Sequence, residues 1–236
     1  MKSDLSRSVA LTIGWMGLTI GIDLLLRAAL PAIDVRIASL CIVVIVAALL
    51  GLGVSLMGWW RDVGYTPPSA WRGTAWLLVP AAITLIPLVA GIRPLDPTTY
   101  AVLIAGYALT GFTEETMFRG VLVRLLRERS PLAIATTTAL LFGLAHLSNI
   151  VIRGEVVIIA AQAVGAAAFG FGFAALRLRT NTLVPLIVLH AVHDLVLQMS
   201  TLPLIPVAVV QDVLLFALGG YLLATPPLRN ASRPAR

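Results

Sequence analysis

The chain has 236 residues, 59% of them hydrophobic and only 12% charged, with a mean hydropathy of +0.97; such a content exceeds what a water-exposed surface can hold and excludes a soluble globular domain. The net charge of +6 does not point to nucleic acid, because the basic residues are scattered among short connecting segments with no patch interleaved with exposed aromatics. The single cysteine, Cys41, lies in an apolar run, which excludes an intrachain disulfide framework and a cysteine-built metal site.

A membrane-crossing helix takes about 20 apolar residues, and that length divides the chain into eight segments at roughly 9–30, 37–58, 73–91, 99–123, 131–148, 156–176, 182–200 and 205–224. The breaks carry Pro, Gly, Arg and Asp, as connecting loops do; Pro67 with Pro68, Pro203 with Pro206 and Pro226 with Pro227 read as loop or helix-end punctuation. The first segment has a charged head and an apolar body but no small-residue cleavage site ahead of a polar domain, so it is expected to remain as a span. In it, Asp23 and Arg27 stand four apart and can pair, and "GLTIG" at 17–21 has GxxxG spacing. The fourth segment contains "GFTEETMFRG" at 111–120, the fifth "FGLAH" at 142–146, and the seventh "HAVHD" at 190–194. The sixth contains the run "VGAAAFGFGFAAL", which permits close helix contact and is not a dinucleotide fingerprint, since no strand precedes it. Asp212 lies in the eighth. With no soluble domain and no internal repeat, the expected fold is an all-α polytopic membrane bundle of about eight transmembrane helices, in which residues 1–236 form a single membrane domain.

Basic residues collect on the cytoplasmic side of a membrane protein. With the N-terminus inside, that side receives Lys2, Arg7, Arg61, Arg72, Arg124, Arg127, Arg129, Arg177, Arg179, Arg229, Arg233 and Arg236, and the opposite side only Arg27, Arg36, Arg93 and Arg153. The asymmetry predicts an even number of spans in the cell membrane and both termini in the cytoplasm.

Ionisable side chains inside a bilayer cost a few kcal/mol each, so they face the bundle interior and mark function. Here Glu114, Glu115 and Arg119 fall in the fourth segment, His146 in the fifth, and His190, His193 and Asp194 in the seventh. Positions four apart share a helix face and adjacent ones diverge by about 100°. Glu115 can therefore pair with Arg119, as a support or as a purely structural ion pair, while Glu114 points toward a neighbouring helix. Phe142 with His146 and His190 with Asp194 give the fifth and seventh helices one polar face each; Phe142 reads as a packing residue and His193, turned away, as structural. Glu114 and His146 each stand sixteen residues from Ser130, at matching depth. Carboxylates and imidazoles converging in a dry cavity can activate water. Glu114 would take the proton, His146 would hold the water, and His190 with Asp194 would stabilise the oxyanion of an attacked carbonyl. That chemistry is amide hydrolysis within the membrane.

At these residues the chain resembles the CPBP family of intramembrane proteases, which includes the type II CAAX prenyl endopeptidases and bacteriocin-processing and immunity enzymes. Its three motifs, EExxxR, FxxxH and HxxxN or HxxxD, occur in order as "EETMFR" at 114–119, "FGLAH" at 142–146 and "HAVHD" at 190–194. The resemblance implies a catalytic core at 99–200, with Glu114 and His146 activating water, Glu115 and Arg119 supporting them, and His190 and Asp194 holding the oxyanion. Asp194 departs from the Asn of the prenyl endopeptidases. It must carry a proton, orient His190, or belong to a metal site. A zinc site would draw on Glu114, His146 and His190; the expectation is a metal-free glutamate enzyme with no obligatory cofactor.

The expected partners are the lipid bilayer and a membrane-associated peptide or protein substrate. Two other readings use the same residues: a proton-coupled transporter, which the lack of repeats and broken-helix pairs disfavours, and an inactive scaffold or immunity factor. The preference for Arg over Lys suits a GC-rich bacterial genome, where a peptide precursor, a signalling peptide or a membrane-protein tail is a better substrate than a prenylated CAAX protein.

Overall fold

The computed structural model describes residues 2–68 and 71–225. Among them the chain is helical, with no strand beyond one antiparallel bridge between Ile92 and Ser200. The basic residues Arg229, Arg233 and Arg236 and the pair Pro226 and Pro227 lie outside the described residues, as do the side chains of Lys2 and Arg72.

Each of the eight apolar segments is helical. Helices α1 (Lys2–Ala29) and α2 (Val35–Leu56) form the first two, α7 (Pro131–His146) with the short α8 (Asn149–Arg153) the fifth, α9 (Val156–Thr180) the sixth, and α11 (Leu204–Ala224) the eighth. These five are long and apolar enough to cross a membrane. The third segment is broken into α3 (Trp71–Thr74), a 3₁₀ turn at Ala75–Leu77, α4 (Leu78–Leu85) and a second 3₁₀ turn at Ile86–Ala90. Pro80 and Pro87 fall within it, and each removes a backbone donor that a continuous helix would use. The fourth is α5 (Pro97–Glu114), a π-helical turn at Glu115–Val121 and α6 (Leu122–Leu125). The seventh, α10 (Val184–Met199), has 16 residues, about 24 Å of helix.

Two seams place the site. Helix α9 lies between α7 and α11, and α5 lies between α10 and α2. Small residues make the approach possible, as expected where helices meet without water to drive them together. A Cβ on Gly143 would come within 2.5 Å of the Ala163 carbonyl oxygen across the α7–α9 seam. One on Gly111 would come within 2.7 Å of the Ile187 carbonyl oxygen across the α5–α10 seam. The interior is filled by Phe118, Leu122, Phe142, Phe173, Leu186 and Leu215, whereas Leu25, Leu56, Val157 and Val210 stand exposed on the outer faces. Apolar side chains inside and outside alike are what a bundle solvated by lipid requires.

The Asp23–Arg27 pair forms at 2.8 Å. Arg177, expected in a cytoplasmic loop, instead sits in the last turn of α9 and is buried, because that helix continues to Thr180, four residues past the apolar window.

Candidate active site

Helix α5 starts where Asp96 caps the Thr99 amide at 2.9 Å and Pro97 takes the first helical position, a pairing suited to an N-terminus. Its hydrogen bonds with Thr99 hold the Asp96 carboxyl below the usual carboxylate range. Seventeen residues of α-helix then bring the chain to Glu114, after which the wider π turn begins. All seven residues of that turn are buried. A π turn inserts one residue into the helical ladder and recurs at functional sites.

Inside this turn Glu115 is fully buried and faces two partners. Its Oε1 accepts a hydrogen bond from Nδ1 of His190 at 2.7 Å and lies 3.0 Å from Nη1 of Arg119. The Arg119 contact is an ion pair without hydrogen-bond geometry, and Oε2 of Glu115 and both terminal nitrogens of Arg119 have no hydrogen-bond partner. Aromatic faces enclose the guanidinium instead. Its central carbon lies 4.1 Å from the Phe142 ring centre and 5.9 Å from those of Phe169 and Phe173, so cation–π attraction replaces part of the lost hydration.

The other nitrogen of His190 is less tightly held. Nε2 stands 3.5 Å from Oε2 of Glu114 and 3.6 Å from Oδ2 of Asp194. Both separations exceed hydrogen-bond length. Glu114 and Asp194 are partly exposed, at 21% and 27% of their side-chain surface, whereas His190 is buried at 4%. The structure thus gathers Glu114, Glu115, Arg119, His190 and Asp194 into one cluster. Adjacent helical positions put the two glutamates on different faces; a single imidazole reaches both, one through each nitrogen.

His146 stands at the edge of this cluster. Its Nδ1–H donates to the Phe142 carbonyl oxygen at 2.9 Å, which leaves Nε2 with its lone pair free. The Phe142 ring meets His146 edge to face at 4.7 Å and His190 at 6.1 Å, so it separates the two imidazoles. No hydrogen bond or ion pair joins His146 to Glu114 among the described residues. His193 faces away, with Nδ1 3.4 Å from the Thr84 hydroxyl of α4 and its ring against Phe169. Asp212 of α11 abuts Gly165 of α9.

Three neighbours carry no signal in the three spaced motifs. Phe169 and Phe173 cage Arg119 and flank His190, at 4.8 and 6.1 Å between ring centres; their spacing in "FGFGF" reads as helix contact. Tyr65, from the connection between α2 and α3, shares a hydrogen bond of 2.7 Å with Thr116, next to Glu115. Burial, the largest effect, pushes the Tyr65 phenol up to about 12; the Thr116 bond, next in size, opposes it, and the charge of Glu115 adds a smaller upward push, so it stays neutral. Tyr65 and Thr116 are 51 residues apart, beyond any local pattern.

No group of three His, Cys, Asp or Glu side chains is arranged to hold a metal ion among the described residues; Glu114, His146 and His190 do not form a zinc triad in this geometry.

Comparison with known proteins bears on the same stretch. No curated protein and no solved structure matches the chain. A family model does: residues 96–196 match the type II CAAX prenyl endopeptidase Rce1-like family. The match runs from the cap of α5 to Val196 of α10 and includes every residue of the cluster as well as His146. Over residues 96–196 the chain is thus similar to the Rce1-like type II CAAX prenyl endopeptidases, a likeness that points to an intramembrane protease of CAAX type.

Proposed function

We propose that the protein is an intramembrane endopeptidase that hydrolyses a peptide bond of a membrane-associated peptide or protein, with water activated by Glu114. The observation that carries this reading is the imidazole of His190, held at Nδ1 by Glu115 and turned with Nε2 toward Glu114 and Asp194. With Nδ1–H given to Glu115, Nε2 must carry a second proton to donate to an oxyanion. Three carboxylates, Arg119 and the imidazolium of His190 then sum to one negative charge. A proton on Asp194 makes the cluster neutral, and Asp194 then donates to the oxyanion instead of repelling it. Glu114 is left as the carboxylate that takes a proton from water. The Nε2 lone pair of His146 holds that water's other hydrogen, the nascent hydroxide attacks the carbonyl carbon, and Glu114 passes its proton to the departing amine. Glu115, Arg119 and Phe142 position these groups.

The reaction in this form needs no obligatory cofactor, and no step passes through a metal. The proposed setting is the cell membrane with both termini cytoplasmic and a catalytic core at 99–200. A peptide precursor, a signalling peptide or a membrane-protein tail is the substrate class.

The test compares cells by terminal proteomics, or purified protein with a library of membrane peptides. Glu114→Gln and His146→Ala are each expected to lower cleavage by about 10²–10⁴-fold, the usual contribution of a positioned acid or base, with the unfolding midpoint unchanged. Full processing by both variants sinks the assignment. Chelation is expected to leave the rate unchanged; a loss restored by added zinc would transfer the mechanism to a metal enzyme. Proton flux lost in Glu114→Gln liposomes, without any proteolysis, would favour a transporter.

A further inference from the structure

At one end of the bundle, where α6 and the start of α7 meet the last turn of α9, there is a cavity of 260 Å³ that none of the catalytic cluster lines. Its polar wall is Arg124, Arg127, Arg177, Asn181 and Asp62, and three aliphatic side chains complete it. Arg124 lies in the last turn of α6 and Arg177 in the last turn of α9. Spanning helices end where lipid head groups begin, which in a bilayer would set this cavity at head-group depth.

Positive charge in this cavity is poorly compensated. Asp62 pairs with Nε of Arg124 at 3.0 Å. Among the described residues Arg127 is held only by Glu128 at 3.3 Å, and both side chains are mostly exposed; solvent leaves such a pair little strength. Arg177 meets no carboxylate among the described residues. Its Nη1 donates to the Asn181 side-chain oxygen at 2.8 Å and its Nη2 to the Val63 carbonyl at 3.2 Å, while its Nε is buried with no acceptor. A buried guanidinium without a counter-charge or a full set of hydrogen bonds is costly. An anion in the cavity supplies both.

We propose that this cavity binds a phosphate-bearing anion, either the head group of an anionic lipid or free phosphate. Guanidinium groups present several N–H donors in a fixed fork that suits phosphate oxygens. The volume lies just below the roughly 300–1,000 Å³ of sites that enclose whole small molecules, which suits one phosphate group with the rest of its molecule outside. The aliphatic part of the wall favours the lipid, whose glycerol and acyl carbons lie beside its phosphate. Asp62 acts as an internal competitor, since its carboxylate occupies a guanidinium that the phosphate would take.

The experiment uses the purified full chain in nanodiscs of phosphatidylcholine with graded phosphatidylglycerol, and in pure phosphatidylcholine titrated with inorganic phosphate. Bound lipid is counted by native mass spectrometry and the unfolding midpoint is followed by heating. Phosphatidylglycerol is expected to bind and raise the midpoint. Arg127→Gln, at an exposed position where folding is not at stake, should weaken that binding about five-fold, the worth of one basic residue at an anionic membrane surface. Asp62→Asn should strengthen it, and Arg36→Gln, far along the chain at the start of α2, should leave it unchanged. A midpoint raised by phosphatidylglycerol alone assigns the site to lipid, and one raised equally by inorganic phosphate assigns it to the free ion. The proposal is overturned if neither anion raises the midpoint, or if Arg124→Gln, Arg127→Gln and Asp62→Asn all bind as the parent chain does.

Discussion

Glu115 and Glu114 are neighbours in sequence with opposite demands on their surroundings. Glu115 is sealed between His190 and Arg119. Removing its charge leaves a buried guanidinium without its counter-ion, a loss of about 3–5 kcal/mol in comparable buried pairs. Glu115→Gln should therefore lower the unfolding midpoint in detergent, and the double change with Arg119→Met should recover most of the loss. Glu114→Gln should lose cleavage with no such fall. A midpoint for Glu115→Gln equal to that of the parent chain would refute the ion-pair account. Asp194 invites a sharper substitution. If it works as a proton-bearing donor, Asp194→Asn keeps a donor in place and should retain cleavage within about ten-fold, while Asp194→Ala should fall by about 10²–10³, the range for a lost oxyanion donor. Equal kcat values for Asn and Ala on one peptide would remove Asp194 from that role.

Helix seams set the position of these side chains. Gly143 is next to Phe142, and across from it the Ala163 carbonyl leaves no room for a Cβ. Gly143→Ala should push α7 from α9 at a cost of about 1–3 kcal/mol, typical of overpacking, and should lower cleavage with it, since α7 carries His146. Gly106→Ala, with nothing within 4 Å of its added carbon, is the control for heat stability; loss in both would deny the seam its importance. The eight apolar segments and the faces of Phe142 with His146 and of His190 with Asp194 were legible because hydrophobic runs and four-residue spacing are local properties. The π turn at Glu115–Val121 was not, since an inserted residue changes the angular count without altering composition. Nor was the Glu115–His190 bond, which joins positions 75 apart and depends on how close α5 and α10 come. Arg177 misled for a related reason: a charge ending an apolar run reads as a loop residue, yet the neighbours of α9 bury it.

For the molecule as a whole, the basic residues predict orientation, and reporters can check it. A cytoplasm-active reporter fused after residue 225 should work, and one inserted in the connection at 30–34, between α1 and α2, should not. The reverse pattern would invert the bundle and place the arginine-lined cavity on the outer leaflet. The bundle is also uneven in height. Helix α10 measures about 24 Å, against a hydrocarbon layer of about 30 Å, and it packs beside α4, itself part of a broken segment. Lipid adapts to so short a wall by compressing or by letting the helix ends draw polar groups inward. A bilayer that compresses to match α10 would be pinched along the flank that holds His190 and Asp194, and acyl-chain length would then be a physical variable in how far water and a substrate backbone must travel to reach them.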